Sequence, residues 1–86
     1  MHEGIHEKVS VIAIYDGDKR QTIPYALKWR GQIHKIVKVG YHHTQRSGRT
    51  LQHIFSVVSS TLAFRLNFDT DTLSWTLEEI SDGAAD

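Results

Sequence analysis

Apolar residues recur at every second position through most of this chain, and that period of two constrains the fold more than any other feature. Ile23, Tyr25, Leu27 and Trp29 alternate with polar or small residues, as do Leu62, Phe64, Leu66 and Phe68. The repeating residues are largely β-branched or aromatic, which suits a pleated, half-buried surface. The alternation predicts strands over residues 9–15, 20–29, 32–41, 50–58, 62–68 and from Leu73 to Leu77. Asp16-Gly17-Asp18 ends the first as a turn, and Pro24 puts the early part of the second at an edge or a bulge.

Parity also predicts the loops, because facing residues of an antiparallel pair share a face and a one-residue slip turns every apolar side chain outward. Odd positions are apolar on both sides of Gly31. An odd loop, Trp29-Arg30-Gly31 with Gly31 left-handed, therefore sets Leu27 against Ile33, whereas a two-residue Arg30-Gly31 turn would set Leu27 against His34. By the same reasoning Arg46-Ser47-Gly48 pairs Val39 with Phe55, Val37 with Val57 and Tyr41 with His53. Ser59-Ser60 turns the chain again. A four-residue turn over 69–72 then sets Phe68 against Leu73, Leu66 against Trp75 and Phe64 against Leu77.

The expected fold is all-β, a six-strand antiparallel meander curled into a small barrel or half-barrel, since an open sheet with a bare apolar face would aggregate. Its inner face would hold Ile12, Ile14, Ile23, Tyr25, Leu27, Ile33, Val37, Val39, Phe55, Val57, Leu62, Phe64, Leu66, Trp75 and Leu77. A second apolar set, Val9, Val11, Ala13, Ile36, Ile54 and Val58, would mark a dimer contact or a crossing between sheets. The 86 residues make a single domain, with 1–7 and 81–86 frayed.

The absence of cysteine excludes disulfides and thiolate metal sites. The N-terminus lacks the basic start and apolar core of a signal peptide, and residues 54–68 are too polar to span a bilayer, so the expected setting is the cytoplasm, with no membrane partner. The net charge of zero hides three blocks. Residues 1–18 carry −3 and residues 51–86 carry −5, while residues 19–50 carry +8 with no acid, plus His34, His42 and His43.

The segments Pro24-Tyr25-Ala26-Leu27-Lys28-Trp29-Arg30-Gly31, Phe64-Arg65-Leu66 and Trp75-Thr76-Leu77 resemble small bacterial β domains with an aromatic-x-Trp-x-Gly hairpin and a late Trp-x-Leu strand. Some members of such families are associated with DNA-repair polymerases. The resemblance spans about residues 24–77. It implies a β fold and a nucleic-acid context, and it carries no catalytic residue across.

His2-Glu3-Gly4-Ile5-His6 spells the zinc-protease motif HExxH, but that chemistry needs a helix, a third ligand and a cleft. Tyr41, His42, His43 and His53 lack a third inward ligand, alternation puts Glu78 and Glu79 on opposite faces, and no serine or threonine has a base partner. No catalytic site, metal or cofactor is expected. Trp29 and Trp75 could stack bases, yet both sit at core parity. What remains is the basic block. Lys28, His34 and Lys38 point outward by parity beside Gln32, as does Arg65; Arg30 and Arg46 occupy hairpin tips, and Arg49 and the solvated His42 belong to the same basic block. Those eight basic residues are the candidate nucleic-acid contacts of a small binding module. The alternative is a protein-interaction or homodimerisation module.

Overall fold

A computed structural model describes residues 2–82, so Met1 and residues 83–86 of the expected frayed ends lie outside the described residues. Seven strands follow one another: β1 (His2–Asp16), β2 (Gln21–Trp29), β3 (Gln32–Lys35), β4 (Lys38–Ser47), β5 (Thr50–Val58), β6 (Leu62–Asp69) and β7 (Ser74–Asp82). No residue among those described is helical. All ladders are antiparallel, in the order β3-β2-β1-β7-β6-β5-β4.

The seventh strand arises because the expected third strand divides at Ile36 and Val37. The Ile36 amide donates to the Tyr25 carbonyl at 2.8 Å, and the Val37 amide donates to the Val58 carbonyl at 2.8 Å. Two successive residues thus reach the two ends of the strand order. The sheet stays open as a hydrogen-bonded surface, yet it curls until its edge strands β3 and β4 are joined by a two-residue link. The molecule measures 33 × 29 × 27 Å, whereas a flat sheet would be about 10 Å thick.

The concave face holds the core: Leu27, Phe55, Val57, Phe64, Leu66 and Leu77 are buried, with Val9, Val11, Trp29, Val39 and Trp75 packed on them. Removing these side chains from water is the main term favouring the fold. Five residues expected inside are instead outside: Ile12, Ile14, Tyr25, Ile33 and Val37. Four of them have a local cause. Val9 pairs with Trp75 and Val11 with Leu27, which turns these two valines of β1 inward and Ile12 and Ile14 outward. Tyr25 is the unpaired residue of a bulge beside Pro24, where Pro24 was expected at an edge or bulge. Ile33 faces Lys28 because the β2–β3 loop is the two-residue Arg30-Gly31 turn, pairing Leu27 with His34. Both loop residues have positive φ, 50° and 81°, a turn whose twist matches the flanking strands.

The β4–β5 loop is likewise two residues, Gly48-Arg49, with Gly48 at φ 64°. Gly40 forms a bulge, so Val39 pairs with Val57, His42 with Phe55 and Thr44 with His53, rather than Tyr41 with His53. The turn before β7 spans 70–73, pairing Phe68 with Trp75 and Leu66 with Leu77. Asp69 holds it by accepting from the Asp71 and Thr72 amides at 2.8 and 3.1 Å, which keeps its carboxyl below the usual range. The first residues are also more ordered than expected, since β1 pairs with β7 from His2 onward. The HExxH letters therefore lie on a strand, which spaces its two histidines roughly 13 Å apart along the backbone.

Candidate functional site

β2 and β3 pair from Ala26 to Trp29, after which β4 turns away to pair with β5. The divergence leaves a cleft of about 200 Å³ lined by Gln21, Thr22 and Ile23 from β2, Val39 and His42 from β4, and Phe55 from β5. His42 lies flat on Phe55, with ring centroids 4.4 Å apart and planes 4° from parallel. Its Nε2 is 2.9 Å from His53 Nδ1. Those two rings are 17° from coplanar with centroids 5.2 Å apart. That separation is close to the N···N distance plus one ring diameter, so the imidazoles meet edge to edge in an N–H···N bond. The result is a flat two-ring plate, continued along the concave face by Phe55–Trp75 and Phe68–Trp75 contacts at 5.6 and 4.7 Å.

The plate carries no more than one extra proton while the bond lasts, since a second would remove the acceptor. Burial lowers the His42 pKa, and the neighbouring His53 and His43 lower it further. His43 faces the other way, its ring 5.2 Å from Tyr41. Among the described residues no three His, Cys, Asp or Glu come together in a way that could hold a metal ion.

The eight sequence-derived contacts do not form one surface. Lys28 and Lys38 are exposed on the convex side, opposite Ile33 and Val58. Arg46 and Arg49 sit at the β4–β5 hairpin, where Arg46 donates to the Arg49 carbonyl at 3.3 Å. Lys38 and Arg46 are separated by most of β4, roughly 27 Å at the usual strand rise. Arg30 lies 4.7 Å above the Trp29 ring and 2.8 Å from Glu7, which also accepts from the Trp29 indole at 3.0 Å. The Arg30 and Trp29 hydrogen bonds hold the Glu7 carboxyl below its usual range. Arg65 is paired with Glu78 at 3.2 Å.

His34, expected outside, is half-buried on the concave side with its ring 5.2 Å from Phe64, because the two-residue turn places it opposite Leu27. Glu78 and Glu79 also depart from simple alternation. Glu78 is skipped in the β6–β7 register, and the bulge lets it reach Arg65 and Asn67 while Glu79 pairs with Arg65.

Parity reasoning missed Gln21, Thr22 and the His42–His53 bond, which depend on where the chain leaves β2 between β3 and β4 and on the Gly40 bulge. The one sequence signal nearby is Lys19-Arg20, immediately before the cleft-lining Gln21. No helix among the described residues is long and apolar enough to cross a membrane. Compared with protein-family models, curated proteins and solved structures, the chain matches none.

Proposed function

We propose that this protein is a small, non-enzymatic cytoplasmic module that binds single-stranded nucleic acid at the cleft between β2 and β4. The observation that carries the reading is the His42–His53 plate, backed by Phe55 and open to solvent at His42. A flat conjugated surface stacks any base, because every base has a π face. Gln21 and Thr22 supply an amide and a hydroxyl at the same cleft. Lys19 and Arg20, just before Gln21, and Arg46 and Arg49, further along the chain from His42, are exposed cations for the phosphates. The resemblance to domains associated with DNA-repair polymerases points the same way.

The test is fluorescence anisotropy with a labelled oligothymidylate and its duplex form over a salt series. His42→Ala should weaken binding by roughly 5- to 150-fold, the value of one stacked base. Arg46→Glu with Arg49→Glu should flatten the salt slope by roughly 1.4 for a single strand. Lys28→Glu with Lys38→Glu, on the convex side, should change little. Loss of binding in that convex pair and not in His42→Ala would move the site to the strand face. No binding to single- or double-stranded DNA or RNA at low salt would remove the reading altogether. A protein-interaction role is favoured by a separate observation, the exposed apolar residues of β1.

A further inference from the structure

β7 pairs with β1 only as far as Val9, while β2 continues along the other side to Asp16. From Ser10 onward the edge that β7 vacates has no strand beside it among the described residues. The segment is apolar on both faces: Ile12, Ile14 and Tyr15 are 63%, 45% and 65% exposed, and Ala13 is exposed between them. No charge occurs from Val9 to Tyr15. A bare, uncharged apolar edge is a template for another strand, and a two-stranded ribbon exposed on both faces is marginal in water.

We propose that a second copy of this chain occupies that edge, pairing β1 with β1 about a two-fold axis through Ala13. A two-fold axis normal to the sheet keeps inner faces together, so facing residue numbers must share parity. Centred on Ala13, the register sets Ile12 against Ile14 of the second copy, Val11 against Tyr15 and Ser10 against Asp16. The stretch of edge free of β7, Ser10 to Asp16, is itself centred on Ala13, so two copies can pair along its whole length. Centring on Ile14 would instead oppose Ile12 to Asp16, a charge against an apolar side chain. Centring on Ile12 would run Tyr15 into Val9, whose edge β7 already holds. The available edge and the one charge at its end select the same register.

The chain has no cysteine, so Ala13→Cys is a clean probe. Under mild oxidation it should form a symmetric disulfide-linked dimer, because facing residues bring their Cβ atoms within about 4.5–5.5 Å. Ser60→Cys, in an exposed loop away from the edge, should not. In sedimentation velocity, Ile12→Lys and Ile14→Lys should each weaken the dimer at least tenfold while leaving the fold intact, since both side chains are exposed. A wild-type monomer at about 1 mM would overturn the proposal. So would a dimer that Ala13→Cys does not cross-link, or one that neither lysine substitution weakens. The nucleic-acid assay with His42→Ala reads a different surface, so the two proposals fail independently.

Discussion

Replacing Gly31 by alanine isolates a single backbone conformation. Gly31 sits at φ 81°, and a Cβ built there meets no atom within 4 Å. No clash and no new packing complicate the substitution, so the effect is that of holding an L-residue in the left-handed region, roughly 1–2 kcal/mol. For a domain of this size that corresponds to a fall in Tm of roughly 4–16 °C. Urea denaturation followed by Trp fluorescence should show a lower midpoint with an unchanged slope, because the buried surface is unaltered. Asparagine, which tolerates this region, should do less harm. Gly17→Ala is the matched control: its site is equally open, but its φ is not positive. It should stay within about 0.5 kcal/mol of the parent. If Gly31→Ala were as mild as Gly17→Ala, the Arg30-Gly31 turn and the register that follows from it would be wrong.

Leu66→Ala, at a site with 0% exposure, should destabilise by about 2–5 kcal/mol, whereas Ile33→Ala should stay within about 0.5 kcal/mol despite its place in the alternation; chemical denaturation compares them directly. His42 is held below its ordinary 6.5 in the folded state, so the unfolded chain binds more protons as pH falls. Its contribution to stability is present above pH 6.5 and is lost as pH drops through the folded-state value. A His42→Phe variant, keeping the ring on Phe55, should show a flatter dependence of Tm on pH over that window.

Strand content and most strand positions were legible because a period of two survives in the sequence wherever one face is buried. Leu27, Phe55, Phe64, Leu66 and Leu77 were read as core for that reason, and they are core. Register was not legible to the same depth. The parity rule treats an apolar residue as inward, but Ile33 lies on a four-residue strand at the sheet edge, where turn geometry outweighs one buried isoleucine. Bulges at Tyr25, Gly40 and Glu78 each change the phase of a strand midway; Pro24 and Gly40 are signals for the first two, but nothing in local composition marks the third. The cleft was invisible for a related reason: Gln21 and His42 line it together only because the chain leaves β2 after Ile36 and joins β5 from Val37 onward. Basic residues were easy to count, yet which acids neutralise them, Glu7 for Arg30 and Glu78 for Arg65, depends on strand pairing and on a bulge rather than on local composition.

The ladder between β1 and β7 has a consequence in time. Five of the six ladders join strands that follow one another in the chain, and these hairpins can zip locally. The sixth joins residues 66 to 79 positions apart, from Val9 with Trp75 to His2 with Ser81. Such distant contacts carry the largest loop-closure entropy and slow the search. On a ribosome, β1 is made well before β7, so the β7-facing edge of β1 waits until β7 has been synthesised. Throughout that interval a neighbouring nascent chain can offer its own strand to the same edge, which makes β1 the place where exchange between copies would begin.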